Sequence, residues 1–342
     1  PGRTPDAAGL ADQVSAIIDE TEQRLDITTL EQMPELASLV DELSASLVYH
    51  RLFAGLAGGG QAWTRHTCMS KLSTLPIYER LFDAVLDLLI DDGLVHAREG
   101  QLCFAEPPRS PDALLQLLAD RYPAYTGIGR MLSHCTERLS EVVSGHVAPL
   151  EVLYPDGTDR LLTEHFADVP PHANDSVYLH VVGQLIRDAA RMAQAGGPLR
   201  ILEVGGGTGE LSQVVLEALG GTAVDYTFTD LGSSFVERAR QASSQREYQD
   251  VHFSVLDISR DPTRQGLDQT SFDIVIGYNV VHATPDIRAS VQNLAHLLVP
   301  DGVMLLVETV IPSRLDLLIW GLTEGWWVYD DVGLRTRTPI LS

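Results

Sequence analysis

The stretch ILEVGGGTGELS, residues 201 to 212, constrains what this chain can fold into more than any other part of it. An apolar run ends in Glu203-x-Gly205-x-Gly207-x-Gly209 and passes at once into a helical pattern. That is the sequence form of a strand–turn–helix unit, in which the glycines let the backbone turn tightly and come close against a ligand. The spacing excludes the two common phosphate loops. A GxGxxG dinucleotide fingerprint would put its third glycine where the chain has Glu210, and a Walker loop would need a Gly-Lys pair, which is absent.

This turn opens a regular alternation. An amphipathic helix from about Asn174 to Ala195 leads into the strand Leu199 to Val204, and further strands are predicted at Asp225 to Thr229, His252 to Leu256, Phe272 to Gly277 and Val303 to Val307. Helical patterns fill the gaps, which is the signature of a parallel, doubly wound α/β sheet. Ligands of such sheets bind outside the carboxyl ends of the strands. Glu203 offers a carboxylate at the end of the first strand. Asp230 ends the second, in YTFTD, where it can accept both ribose hydroxyls of a nucleoside, and Asp257 ends the third, in SVLDI, where it can accept from an adenine amino group. Each acid alone would be an ordinary loop acid or helix cap. In register after successive strands, they describe a site for a nucleoside without pyrophosphate, which suits S-adenosylmethionine (SAM).

After the fourth strand comes GYNVVHATPDI, with Asn279 and His282 just past the strand end, and the fifth strand, GVMLLVE, ends in Glu308. His282 and Glu308 therefore leave neighbouring strands on the same edge and are expected to form a hydrogen-bonded dyad. A carboxylate on one imidazole nitrogen fixes the tautomer and stabilises the imidazolium, leaving the ring a competent base near neutral pH. A structural hydrogen bond at a strand end is the plainer alternative. Asn279 is a candidate for cofactor contact or, with Tyr278, for donating to a developing oxyanion. The other histidines form no HExxH and no tight cluster, so no metal site is expected.

The half before the sheet is different. Ile77, Leu81, Val85 and Leu88 recur at helical spacing until Gly93, and GLVHAREGQLCFAEPP reads as a hairpin around Glu99-Gly100, so that helix and hairpin together suggest a winged helix. Such a module can grip DNA or serve as a lid. The net charge of −23 favours the lid, because nucleic-acid binders gain affinity by neutralising phosphates, and it argues equally against anionic membranes. Two domains are expected: a mainly helical lid or substrate domain over residues 1–165, beginning with a Pro/Gly/Ala-rich linker at 1–9, and a SAM-binding core over 166–342. Cys68, Cys103 and Cys135 make no CxxC pair and read as buried thiols, and no apolar run is long enough to span a bilayer, so a cytoplasmic protein is expected.

Through ILEVGGGTGELS, YTFTDLGSSF, FDIVIGYNVVHATPDI, GVMLLVET and above all GLTEGWW, the sequence resembles the methyltransferase domains embedded in polyketide synthases. LPIYERLFDAVLDLLIDDGLV and the segment near VAPLEVLYPDG look similar to that family's N-terminal helical region. The resemblance implies a Rossmann-like class I SAM methyltransferase core. It implies methylation of an acyl chain held as a thioester on the phosphopantetheine of an acyl carrier protein, among neighbouring synthase domains, with His282 and Glu308 as the dyad. Such cores usually continue into two further strands, whereas this sequence stops at Ser342 after ILS; either the sequence stops short of them, or this branch uses a reduced core lacking its last strands. The acceptor atom is read as the α-carbon of a β-ketoacyl thioester, with O-methylation of a β-hydroxyl or enol as the alternative. A non-catalytic SAM-binding module and a DNA-binding regulator are further rivals. The first would be favoured by loss of the dyad or glycines, both of which are present, and the second lacks a basic segment.

Overall fold

The computed structural model describes residues 13–20, 27–57, 63–155, 157–158, 160–167, 169, 176–193, 197–246, 251–310 and 313–341. The linker expected at residues 1–9 lies outside them. The chain divides into two compact units: Pro1–Leu25, Pro171–Val310 and Tyr329–Gly333 in one, Asp26–Pro170, Ile311–Val328 and Leu334–Ser342 in the other.

The unit that carries the glycine turn is built on a five-stranded sheet. Numbering strands along the chain, the hairpin of the other unit supplies β1 (Val95–Arg98) and β2 (Gln101–Phe104), and the sheet comprises β3 (Leu199–Val204), β4 (Val224–Asp230), β5 (Val251–Val255), β6 (Phe272–Tyr278) and β7 (Leu298–Val307). The order is β5-β4-β3-β6-β7 with every neighbouring pair parallel. The chain runs outward from β3 to β5 and returns to β6 on the other side of β3, so the order reverses beside the glycine turn. That reversal opens the crevice in which doubly wound sheets hold ligands.

Strand periodicity sorts the core. Ile201, Ile274 and Ile276 face one layer, packing with Leu179, Val182 and Ile186 of the helix Ser176–Ala193 and with Leu211 and Val215 of the helix Glu210–Leu219. Leu202, Val204 and Val275 face the opposite layer and pack with Ile287 and Leu294 of the helix Ile287–Ala295. β7 starts earlier than the predicted Val303. Its pairing with β6 jumps from Phe272–Leu298 to Ile274–Val303, and Asp301 sits at φ 66° within the irregularity, so residues that read as a turn are a bulge inside a longer strand.

Two segments depart from a single cut at residue 165. A helix over 13–20 belongs to the sheet unit, with Ile17 buried against Val181 and Leu185 and beside Val303 and Leu305 of β7. The last segment goes the other way, because Arg314 bonds the carboxylate of Asp92 through both terminal nitrogens at 2.6 Å and Leu318 and Ile319 are buried in the helical unit. The helical unit is thus an insertion after the helix over 13–20, closed by residues from the C-terminal region.

Within the helical unit the helix Glu79–Asp91 buries Leu81, Phe82, Val85, Leu86, Leu88 and Leu89, and Gly93 ends it at φ 69°. The hairpin pairs Arg98 with Gln101 across Glu99 (φ 49°) and Gly100 (φ 77°), the two left-handed residues that a tight two-residue turn requires. Trp63 extends it by an antiparallel bridge to Leu102. The expected helix and hairpin are both present. Cys68 and Cys135 are buried, and burial pushes their thiols up to about 11 and about 12, but Cys103 is exposed on β2, correcting the expectation for that thiol. No helix among the described residues is long and apolar enough to cross a membrane.

Candidate active site at the carboxyl edge of the sheet

The glycine turn is defined by backbone conformation and by steric room. Gly205, Gly207 and Gly209 lie at φ 63°, 53° and 89°, the left-handed region that favours glycine, and Gly209 is the N-cap of the helix Glu210–Leu219. A Cβ at Gly205 would come within 2.3 Å of Val280, and one at Gly206 within 2.1 Å of the Phe228 ring. Those two positions are closed by packing. A Cβ at Gly207 or Gly209 would meet nothing nearer than 3.9 Å, so this part of the turn faces open space. Sequence reasoning singled out 205, 207 and 209 and missed Gly206, whose constraint comes from a ring on the next strand.

Asp230 locks the turn from β4. Its Oδ2 accepts from the Gly207 amide at 2.9 Å and its Oδ1 from the Gly232 amide at 2.7 Å. A carboxylate oxygen has two lone pairs, so these bonds orient the group while leaving acceptor capacity. Asp257, past the end of β5, accepts from the Ser259 amide and hydroxyl at 3.0 and 2.6 Å and pairs with Arg260 at 3.0 Å. Both aspartates are therefore at the strand ends, Asp257 held by its own loop and Asp230 by its own loop and the glycine turn.

Glu203 is not on the rim. Its side chain is fully buried, and Oε2 accepts from Ser212 Oγ at 2.5 Å and from the Tyr226 hydroxyl at 2.8 Å. Burial raises its carboxyl to about 7, an effect that the two hydroxyls reduce and the charge of Asp230 reinforces. Ser212 lies inside the glycine motif and was within reach of sequence reasoning. Tyr226 was not, since only the β3–β4 register brings it across.

His282 and Glu308 do meet. His282 Nδ1 lies 2.6 Å from Glu308 Oε2, and Glu308 Oε1 accepts from the amides of Val280 and Val281 at 3.0 and 2.7 Å. Glu308 thus holds both the imidazole and the start of the short 3₁₀ turn Val281–Ala283 that carries it. Burial works against the Glu308 charge, but the hydrogen bond from His282 and those amides outweigh it and keep the carboxyl below the usual glutamate range. The side chains are 12% and 18% exposed, shielded yet reachable. Nε2 is the ring nitrogen that Glu308 does not engage. Val280, which packs against Gly205, ties this turn to the glycine turn.

Asn279 stands at φ 49° with Oδ1 accepting from the Thr309 amide at 2.8 Å and hydroxyl at 3.0 Å. It clamps the end of β6 to the residue after Glu308. Trp327 is buried in the helical unit with Nε1 donating to the Gly321 carbonyl at 2.7 Å, and with Pro76, Ile77, Arg80 and Val328 it lines a groove of about 560 Å³. No group of three or more potential metal ligands occurs among the described residues.

A parallel sheet with its glycine turn and strand-end acids at the switch point defines the class I SAM-dependent methyltransferases, and this chain is one of them. The methyltransferase-domain family profile matches residues 202–304. More narrowly, the chain is a methyltransferase domain of the kind built into polyketide synthases. It is 37% identical over 274 residues to a non-reducing polyketide synthase of Macrophomina phaseolina, and 30% identical over 269 residues to one of Metarhizium robertsii. Each match takes in 75% of this chain but 12% of the relative, so the chain spans about an eighth of the curated relatives' length. The CurJ carbon methyltransferase superposes with a TM-score of 0.81 at 26% identity, covering 98% of this chain and 89% of that one. The methyltransferase domain of the citrinin polyketide synthase superposes with a TM-score of 0.81 at 25% identity, covering 100% and 89%.

Proposed function

We propose that this domain methylates the α-carbon of a β-ketoacyl thioester borne on an acyl carrier protein within a polyketide synthase. The observation that carries the reading is the dyad, His282 Nδ1 to Glu308 Oε2 at 2.6 Å, fastened beside the glycine turn. The open space at Gly207 and Gly209 and the strand-end carboxylates fit SAM. Glu203 and Gly205 shape the turn, Gly207 and Gly209 line it, Asp230 takes the ribose hydroxyls, Asp257 takes the adenine amino group, and Asn279 closes the site beside the dyad. When bound, SAM supplies an electrophilic methyl group on a sulfonium.

The protein's own contribution is proton removal and placement. His282 takes the α-proton on Nε2, and Glu308, kept ionised by the amides of Val280 and Val281, stabilises the imidazolium so formed. Two flanking carbonyls already acidify the α-carbon, so an imidazole without a metal is matched to it better than to an unactivated alcohol. Holding the acceptor carbon about 3 Å from the methyl supplies much of the remaining rate. The CurJ neighbour, described as a carbon methyltransferase, supports the same choice of atom.

The test offers matched β-keto and β-hydroxy thioesters on a carrier protein with isotopically labelled SAM and reads the new methyl by NMR. A methyl coupled to one α-proton is expected. An uncoupled methoxy signal, or turnover confined to the β-hydroxy substrate, would overturn the assignment in favour of O-methylation. No turnover of either, with SAM bound, would point to a binding module.

A further inference from the structure

The two oxygens of Glu203 are in unequal surroundings. Oε2 takes the hydroxyls of Ser212 and Tyr226, while Oε1 is buried with no hydrogen-bond partner among the described residues. A fully buried carboxylate with one bare oxygen is costly when ionised and much less so when protonated, so its proton responds to any charge brought near. Among the described residues, the groups facing it offer no positive counter-charge. They are the Tyr226 hydroxyl from β4, the Ser212 hydroxyl and amide at the start of the following helix, and Asp230 at the end of β4, which opposes ionisation. From β6 the residue in register is Ile276. Two residues beyond Glu203 the chain enters the glycine turn, and Asp230 binds that turn's Gly207 amide, so turn and buried acid share one electrostatic environment.

We propose that Glu203 discriminates between the methyl donor and its spent product by charge. It holds a proton when the turn is empty or contains S-adenosylhomocysteine, and releases that proton to solvent when SAM binds. This rests on the cofactor reading above. The two ligands differ by one methyl group and one positive charge, and a cation in the turn favours the ionised form of the acid beside it. Methyl transfer converts the sulfonium to a neutral thioether. Glu203 then recovers a proton from solvent, which removes the attraction that favoured the charged ligand over the neutral one. The carboxyl, raised by burial to about 7, exchanges its proton near neutral pH. Tyr226 and Ser212 act as positioning residues, setting how readily the proton leaves.

Calorimetry of SAM and of S-adenosylhomocysteine at pH 6.5, each in phosphate and in imidazole, gives the protons released on binding from the difference in buffer heat. About half a proton is expected for SAM and close to none for the product, and the SAM-to-product affinity ratio should rise by up to about tenfold per unit of pKa lowering between pH 5.5 and 7. E203Q is expected to abolish both the release and the pH-dependent part of the ratio. Y226F keeps the acid but removes a donor to its charged form, so it should move the release to higher pH. This second variant decides the matter if E203Q does not fold. Equal proton release for the two ligands, release persisting in E203Q, or an unmoved profile in Y226F would overturn the proposal. Failure of SAM to bind the wild type would instead overturn the cofactor reading, a distinguishable result.

Discussion

His282 and Glu308 owe their pairing to two backbone amides as much as to each other. Because Glu308 Oε1 is anchored on Val280 and Val281, the carboxylate stays in place when the imidazole is removed. His282→Ala is therefore expected to lower kcat by about 10²–10⁴-fold while calorimetry still finds SAM bound, and Glu308→Gln to cost less, since it misplaces the base without deleting it. Near-wild-type turnover in His282→Ala would remove the imidazole from the mechanism. Glu203 and Glu308 also pull stability in opposite directions with pH. Glu308, held below its ordinary value, contributes stability that is present above that value and lost as pH falls through its folded pKa. Glu203, raised from 4.5 to about 7, keeps its proton longer in the folded state, so its contribution is greatest below about 4.5 and declines as pH rises toward 7. At about 1.4 kcal/mol per unit this amounts to about 3 kcal/mol. Urea midpoints between pH 5 and 8 should fall with pH in the wild type and flatten in Glu203→Gln. Parallel slopes in the two proteins would mean that the decline has another source.

The glycine turn shows how an element carries two kinds of constraint. At Gly206 the limit is the Phe228 ring, so Gly206→Ala forces a packing shift that typically costs about 1–3 kcal/mol. At Gly207 there is room for a side chain but an unfavourable φ, so Gly207→Val combines backbone strain with occupation of the open side of the turn. Denaturation should show Gly206→Ala destabilised with residual SAM affinity, whereas Gly207→Val should lose SAM binding in calorimetry while remaining folded. Unchanged affinity in Gly207→Val would take the cofactor out of the turn. Much of this element was legible in the linear chain. Glycine spacing and strand-end acids are local signals, set by φ and by a period of two. The clash at Gly206, the Tyr226 bond to Glu203 and the Asn279 clamp on Thr309 were not, because each joins residues from different strands and depends on register.

The division of the chain follows long-range packing. The helix over 13–20 joins the sheet unit through Ile17, although some 150 residues of helical unit separate it from β3. Ile17→Ala is expected to cost about 2 kcal/mol and to speed hydrogen exchange of the Val303–Val307 amides, leaving those of the β1–β2 hairpin unchanged. Uniform acceleration in both would mean that the helix does not act through β7. Periodicity, glycine spacing and the placing of Asp230, Asp257, His282 and Glu308 after successive strands were enough to specify a doubly wound sheet and the members of its candidate site, because each is a pattern along the chain. The burial of Glu203, the steric closure at Gly206, the exposure of Cys103 and the exchange of terminal segments between the two units were decided only by the tertiary structure. Burial, register and packing are relations between residues far apart in sequence, and they come into being when the chain closes on itself.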